Sequence, residues 1–343
     1  MGGWNNGVLG GWRWHNSLLF QRCNLFVLLA MTEATAESVL ARELKQLAGL
    51  KLKFSEPLAR YTSMKIGGPA DYFIEVANEA ALAKLLAALK RHRYNFYLLG
   101  NGSNILFSDR GVRGAVIRLG EEFKTVQWRE SEGVVHASVG AAYALTQLVR
   151  EASRRGYAGL EFAEGIPGSV GGALYMNAGA YGSEFEKVVE VVEAMTSDGE
   201  AMRLAREQMT FSYRDSHLPA GTVVTRVTLR LEKTEATRVS AKVRELTTRR
   251  KQSQPSGFPN SGSMFRNPAG DYAGRLIEAA GLKGKQIGQS QISERHANFF
   301  INLGGAKAAE VRELMALAQT EVRRRFDVEL VPEIKFLGDW PAD

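Results

Sequence analysis

Several features that define other protein classes are missing, or nearly missing, from this sequence. A single cysteine, Cys23, leaves no partner for an intrachain disulfide, which is typical of proteins from a reducing compartment. The most apolar stretch, residues 18–30, is interrupted by Gln21, Arg22 and Asn24 and is too short to span a bilayer. No spacing of histidine, cysteine and carboxylate residues indicates a metal site. These absences argue against a disulfide scaffold, a membrane protein and a metalloenzyme, and they favour a cytoplasmic location.

The charge of the chain is basic but is not organised for nucleic acid. The formal net charge is +7, with 44 Lys and Arg against 37 Asp and Glu. The cations are scattered or lie on predicted helices, and no recognisable nucleic-acid-binding module is present. Such a balance favours anionic small-molecule ligands over nucleic acid. Nothing in the sequence indicates an obligate protein partner or a membrane partner.

The length of the chain and the changes of pattern along it predict more than one domain. At 343 residues the chain is long for a single hydrophobic core. Residues 1–30 match neither helical nor strand periodicity, and we expect them to be a disordered or non-native extension ahead of a start at Met31. Three further domains are predicted at 31–120, 121–233 and 234–343.

The periodicity within these segments predicts a mixed α+β fold. The sequence predicts a strand at 71–77, a helix at 79–93 and a strand at 95–99. This is the pattern of a β-α-β unit. The alternating stretch 222–232 predicts a strand that closes a second region. A basic helix is predicted at 235–252, where the third region begins. We therefore predict two small α/β regions followed by an α+β region.

Two glycine-rich loops are the strongest indication of a cofactor. The first, GNGSN at 100–104, follows a predicted strand, and the second, GIPGSVGG at 165–172, has four glycines in eight residues. Neither has the spacing of the GxGxxG dinucleotide fingerprint. Glycines nevertheless allow backbone N–H groups to approach a phosphate closely. Each loop alone is explained by a tight turn, whereas the two together predict a cofactor that carries a diphosphate.

Three reactive side chains follow these loops along the chain. They are Arg214 in FSYRDS, Ser263 in SGSMFRNP and Glu333 in VPEIKFLG. A fixed guanidinium can stabilise the negative charge that develops on an enediolate-like intermediate. A serine hydroxyl can protonate a strongly basic carbon, and a carboxylate can orient the guanidinium. Taken singly, each has a simpler explanation: a surface pair of Arg214 with Asp215, a turn serine, and a solvated glutamate on a strand predicted at 328–336. Together they favour a catalytic site.

The order of these motifs, with YTSMKIGGPA ahead of them and LYMNAGAYG directly after the second glycine loop, resembles that of the UDP-N-acetylenolpyruvoylglucosamine reductases, the MurB family. The resemblance runs from about residue 54 to the C-terminus. It implies an α+β protein with two α/β FAD-binding domains of the PCMH or VAO-like flavoprotein type, then a C-terminal α+β substrate domain. FAD would lie between the first two domains. The residues implied in FAD binding are Leu99, Gly100, Asn101, Gly102, Ser103, Asn104, Gly165, Ile166, Pro167, Gly168, Gly171, Gly172, Asn177 and Gly179.

The resemblance also implies a reaction. NADPH would reduce FAD and leave, and UDP-N-acetylglucosamine enolpyruvate would then be reduced to UDP-N-acetylmuramate for peptidoglycan synthesis, and so for cell-wall biogenesis, cell shape and cell division. Ser263 would act as the acid, while Arg214 and Glu333 would stabilise the intermediate. The stretch 231–263 holds one basic helix and a short loop, so the chain resembles the shorter type that lacks a tyrosine-bearing insertion. The residues implied in substrate binding are Tyr213, Lys251, Gln254 and Asn267.

Two other functions are compatible with parts of this pattern. An FAD-linked oxidase of a small hydroxy compound would use the same flavin domains, but it needs a general base and has no use for a serine acid. A non-catalytic flavin- or nucleotide-sugar-binding protein would need none of the three reactive side chains. The presence of all three favours the reductase.

Overall fold

The computed structural model describes residues 38–341 of the chain. The chain divides into two compact units, Met1–Glu43 and Leu44–Asp343. The extension predicted at 1–30 and the start predicted at Met31 lie outside the described residues. The first described helix, α1, is Val39–Gln46. All later elements belong to the second unit.

The second unit begins with a small α/β region. Its elements are β1 (Leu50–Pro57), β2 (Pro69–Val76), α2 (Glu79–Arg91), β3 (Phe96–Leu98), β4 (Ile105–Phe107) and β5 (Val112–Leu119). The sheet order is β1-β2-β5-β3, and β5 is parallel to both β2 and β3. Helix α2 begins where the Asn78 side chain accepts from the Ala81 N–H at 2.9 Å, and its leucine stripe is buried. This arrangement confirms the predicted β-α-β unit.

A six-stranded antiparallel sheet forms the second region. Its elements are β6 (Val126–Ser131), β7 (Val134–Gly140), α3 (Leu145–Arg155), β8 (Tyr157–Ala158), α4 (Val170–Tyr175), β9 (Gly179–Ala180), β10 (Ser183–Glu184), β11 (Val189–Met195), β12 (Ala201–Ala205) and β13 (Val223–Lys233). The order is β12-β11-β13-β7-β6, with β8 beside β13. Helix α3 ends at Gly156, whose φ of +72° and close approach to the Thr234 carbonyl leave no room for a side chain.

The third region is α+β. Its elements are α5 (Ala236–Ser253), β14 (Asn260–Ser263), α6 (Ala273–Ala279), β15 (Gln286–Ile287), β16 (Ser290–Ile292), β17 (Phe299–Asn302), α7 (Ala308–Phe326) and β18 (Lys335–Leu337). The sheet order is β14-β17-β16-β15. The strand predicted at 328–336 is wrong in extent, because most of that segment buries Leu330 and Ile334 in the core without joining a ladder. Only β18 is a strand, and it pairs in parallel with β4 of the first region.

The three regions together give the mixed α+β fold predicted from the sequence. The domain boundaries predicted after residues 120 and 233 stay a prediction. Within residues 38–341, no helix is both long and apolar enough to cross a bilayer. In the same part of the chain, no group of three His, Cys, Asp or Glu side chains is placed to hold a metal ion.

We expect replacement of Asp109 to destabilise the long helix α7. The carboxylate oxygens of Asp109 accept hydrogen bonds from its first turn, from the Ala308 N–H at 2.8 Å and the Ala309 N–H at 3.0 Å. Asp109→Ala should therefore lower the free energy of unfolding in urea by about 1 kcal/mol. Asp109→Asn, which keeps one acceptor, should lose less. Equal losses in the two variants would contradict the capping role.

Candidate active site

A cavity of about 610 Å³ is lined by residues from all three regions. Its walls come from the loop after β3, the segment 166–180, and the ends of β14 and β18. Arg214, Ser263 and Glu333 all line it. The fold therefore brings together the three reactive residues that the sequence predicted, although they lie far apart along the chain.

The loop at 100–104 presents its backbone to this cavity. Within residues 38–341, the N–H groups of this loop donate to no protein acceptor. Gly102 has a φ of +62°, and a side chain there would collide with the Tyr61 carbonyl. A Cβ atom at Gly100 would lie 2.7 Å from Ser169 Oγ. Free N–H groups beside such glycines are the donors that a phosphate needs, so the loop fits a cofactor that carries a diphosphate.

The second glycine loop meets the first at the cavity wall. Ser103 Oγ donates to the Pro167 carbonyl at 3.0 Å. A Cβ atom at Gly171 would lie 2.9 Å from the Ala141 Cβ, so the glycine lets α4 pack against the end of β7. The predicted cofactor residues that line the cavity are Leu99, Gly100, Asn101, Gly102, Ser103, Asn104, Ile166, Pro167, Gly168, Gly171, Gly172 and Gly179.

Two predicted cofactor residues lie behind the lining. Gly165 packs against the Arg250 side chain, where a Cβ atom would lie 2.6 Å from the Arg250 Cδ. Asn177 is fully buried, and its Nδ2 donates to Glu184 Oε2 at 3.0 Å and to the Ser212 carbonyl at 3.2 Å. Both residues shape the wall, and their direct contact with a cofactor stays a prediction.

Arg214 is held at the cavity by a carboxylate from the far end of the chain. Its Nε donates to Glu333 Oε1 at 3.0 Å, and its Nη2 donates to the Gly179 carbonyl at 3.2 Å. Only 17% of the Arg214 side chain and 16% of the Glu333 side chain are exposed. The neighbouring Asp215 instead accepts from the His217 N–H at 2.8 Å. Arg214 therefore pairs with Glu333 rather than with its neighbour in sequence.

The backbone at Arg214 is strained. Its φ of +62° is the left-handed conformation, which is unfavourable for a residue with a side chain. The turn is closed by two backbone hydrogen bonds between Ser212 and Asp215, at 2.9 and 3.1 Å, and the guanidinium lies 4.7 Å from the centre of the Tyr213 ring. Such strain persists where the surrounding structure over-determines a position. The turn thus fixes the direction of the guanidinium.

Glu333 combines burial with neighbouring cations. Burial raises the pKa of its carboxyl group, while Arg214, Arg266 and Lys335 act in the opposite direction. The upward shift prevails, so the carboxyl group keeps its proton to a higher pH than an exposed glutamate does. The group can therefore orient Arg214 when it is ionised and hold a proton when it is not.

We expect the raised pKa of Glu333 to appear in the pH dependence of stability. The stability that this group contributes is fully present below its unfolded-state pKa and is lost as the pH rises through its higher folded-state pKa. The unfolding free energy of the wild type, minus that of Glu333→Gln, should therefore fall as the pH rises above about 4. Urea titrations at several pH values measure this difference, and a constant difference would refute the shift.

Ser263 is joined to the Glu333 segment through its neighbour. It is the last residue of β14 and pairs with Phe299. The next carbonyl, that of Met264, accepts from the Glu333 N–H at 2.8 Å. Within the described residues the Ser263 hydroxyl bonds to no protein group. It is therefore free to donate to a ligand in the cavity.

Asn104 links the first glycine loop to Glu333. Its Nδ2 donates to the Glu333 carbonyl at 3.2 Å, and its own carbonyl accepts from the Lys335 N–H at 3.0 Å. The position of the loop is thereby coupled to the position of Glu333. Sequence analysis predicted Asn104 only as a cofactor residue, and no local pattern indicates a bond to a residue so distant.

One of the four predicted substrate residues, Gln254, lines the cavity. Tyr213 is 41% exposed, and Lys251 lies exposed in the last turn of α5. Asn267 Oδ1 accepts from the Ala273 N–H at 3.1 Å, at the start of α6. The contact of these residues with a substrate stays a prediction.

Four cations that line the cavity were not among the predicted site residues: Arg118, Lys124, Arg250 and Lys335. Burial lowers the pKa of the Arg250 guanidinium. The sequence predicts a basic helix at 235–252, but it does not single out Arg250 as the member that faces the cavity. The helical period could have identified Arg250, because it lies four residues after the buried Leu246 and therefore on the same face of α5.

Comparisons with known proteins identify the family that this chain resembles. The family model described as "UDP-N-acetylenolpyruvoylglucosamine reductase, C-terminal domain" matches residues 254–337, and "FAD binding domain" matches 70–205. UDP-N-acetylenolpyruvoylglucosamine reductase 2 of Symbiobacterium thermophilum is 44% identical over 85% of this chain and 94% of its own length. The reductase of Caldanaerobacter subterraneus is 42% identical over 84% and 94%. Among solved structures, the crystal structure of the Thermus caldophilus reductase matches with a TM-score of 0.72 and 38% sequence identity. The match covers 84% of this chain and 98% of the Thermus caldophilus chain.

Proposed function

Because the chain belongs to the UDP-N-acetylenolpyruvoylglucosamine reductase family, we propose that it reduces UDP-N-acetylglucosamine enolpyruvate to UDP-N-acetylmuramate in peptidoglycan synthesis. The observation that carries the proposal is the partly buried pair of Arg214 and Glu333, 3.0 Å apart, in one cavity with Ser263 and a glycine cradle. Within the described residues the Ser263 hydroxyl bonds to no protein group. We place this reaction in the cytoplasm, with small molecules as the only partners.

The two glycine loops are proposed to hold FAD. The N–H groups at 100–104, which donate to no protein acceptor in the described part of the chain, and the facing segment 166–172 fit its diphosphate. When bound, FAD supplies hydride transfer from NADPH to the terminal enolpyruvyl carbon. The proposed domain pair 31–120 and 121–233 carries these loops, and the domain 234–343 contributes the residues that face the substrate.

We propose that the three reactive side chains have separate roles in protonation and in charge stabilisation. The Arg214 guanidinium neutralises the enediolate-like charge on the substrate carboxylate, because it stays protonated and presents paired N–H donors. Glu333 keeps that guanidinium in place through the bond to Nε. The Ser263 hydroxyl donates the proton to the carbon beside the carboxylate. Gln254, Tyr213, Lys251 and Asn267 are proposed to contact the sugar and diphosphate.

Anaerobic spectroscopy tests the function. The purified protein should be yellow, should bleach with NADPH and should recolour when UDP-N-acetylglucosamine enolpyruvate is added without oxygen. A protein that recolours only with oxygen would instead be an oxidase. A colourless protein that takes up no added FAD would overturn the cofactor assignment.

We expect Asn104→Ala to slow the half-reaction with the substrate. The Glu333 carbonyl loses a donor while the backbone bond to Lys335 remains, and loss of about 1 kcal/mol corresponds to about a fivefold lower rate. Bound flavin should be retained, because the backbone cradle is unchanged. Ser103→Ala, which removes the bond to Pro167 instead, is the matched control. Equal slowing in both variants would contradict a specific link to Glu333.

A further inference from the structure

A second concave surface lies between helices α3 and α5. It has a volume of about 710 Å³, and among the described residues it shares no lining with the main cavity. Ser153 and Ser240 line it, and their hydroxyl oxygens lie 3.1 Å apart. Arg150, Arg154 and Arg244 also line it. We call this surface the α3–α5 groove.

Three exposed arginines line this groove. Arg150 and Arg154 come from successive turns of α3, and Arg244 comes from α5. Within residues 38–341 none of the three forms an ion pair with a carboxylate, and no acidic residue lines the groove. Gathering like charges in one concave site is unfavourable unless an anion offsets their repulsion.

The acidic residues beside these arginines have other partners. Glu151 Oε1 accepts from the Tyr143 hydroxyl at 2.6 Å. Glu245 pairs with Lys242 at 2.9 Å. Glu151 also accepts from Gln147 Nε2 at 3.1 Å, so its negative charge lies at the edge of the groove. With three arginines in the lining, the net charge of the groove is still positive.

The start of helix α3 adds to this charge. Ala144, the residue before the first turn, and Thr146 both line the groove. The N-terminal end of an α-helix carries a partial positive charge and favours anions. The Thr146 hydroxyl adds a hydrogen-bond donor. The bond between Ser153 and Ser240 joins the two helices, so the backbone positions that carry these donors are fixed before any ligand arrives.

We propose that the α3–α5 groove is an anion-binding site for a small molecule that carries a diphosphate or similar polyanionic group. Guanidinium groups bind phosphate oxygens in pairs, and three of them match more than one negative charge. A volume of about 710 Å³ is within the range of small-molecule sites. The site is separate from the proposed active site, so its test does not depend on the reductase function.

The test is isothermal titration of the flavin-loaded protein with inorganic pyrophosphate at low ionic strength. The double variant Arg150→Gln, Arg244→Gln should bind pyrophosphate at least about tenfold more weakly than the wild type, a difference of about 1.4 kcal/mol. Arg238→Gln on α5, an exposed arginine outside the groove, is the matched control and should bind as the wild type does. Pyrophosphate in the main cavity would be common to all these proteins, so the difference between them reports the groove.

A second variant protects the test against misfolding. Arg244→Lys keeps the charge but loses paired hydrogen bonding, and it should show intermediate affinity with an unchanged flavin spectrum. The proposal fails if the wild type does not bind pyrophosphate, or if the double variant binds it equally well. It also fails if the double variant loses only the binding of a single-stranded oligonucleotide, since the groove would then be a nucleic-acid surface.

Discussion

Ser263→Ala is expected to leave reduction of the flavin by NADPH unchanged and to slow its reoxidation by the enolpyruvyl substrate by about 10³-fold. The hydroxyl lines the cavity and bonds to no protein group within the described residues, so its removal should disturb the fold little. What is lost is the proton donor beside the carbon that becomes basic during hydride addition. Anaerobic stopped-flow absorbance measures the two half-reactions separately.

The matched control for this variant is Ser261→Ala. Ser261 lies on the same strand, lines the same cavity, and its Oγ is 3.3 Å from the Ser63 Oγ. This control should retain both half-reactions within a few-fold. Ser263→Cys, which keeps a proton on the side chain, should recover part of the rate. A Ser263→Ala protein with slow flavin reduction and normal reoxidation would refute the assigned role.

Arg214→Ala is expected to lower the rate of the substrate half-reaction by about 10²–10³-fold, the loss typical of removing one preorganised charge-stabilising group. Arg214→Lys should recover only part of this loss. A lysine keeps the positive charge, but it cannot hold the bonds to Glu333 Oε1 and the Gly179 carbonyl while also presenting paired N–H groups to a carboxylate. Single-turnover kinetics with NADPH-reduced protein give both rates.

Arg206→Lys is the control for Arg214. Arg206 also stacks on an aromatic ring, at 4.8 Å from the centre of Phe211, and it pairs with Glu186 at 3.4 Å. It does not line the cavity among the described residues. The control should therefore show rates close to those of the wild type. Equal losses in Arg206→Lys and Arg214→Lys would show that a general effect on the fold, and not charge stabilisation, explains the result.

Much of the site could be predicted because the sequence patterns that indicate it span only a few neighbouring residues. Glycines at positions such as Gly102 are required by the backbone conformation itself, so the loop motif carries the information directly. The helix predicted at 79–93 is α2, and its Asn78 cap directly precedes that short segment. The partners of the reactive groups were not predictable in this way. Arg214 has an acidic neighbour at Asp215, yet it pairs with Glu333.

The amino-acid sequence alone predicts the glycine loops, the alternation of helices and strands, the reactive residues that line the cavity, and the order of motifs that marks the family. Other features appear only in the folded chain: the pairing of β18 with β4, the bond from Asn104 to the Glu333 carbonyl, the place of Arg250 in the cavity wall, and the bond of Asn267 at the start of α6. The two groups differ in how far apart along the chain the interacting residues lie. Periodicity and turn chemistry depend on neighbours within a few residues, whereas these contacts join segments that meet only after the core has packed.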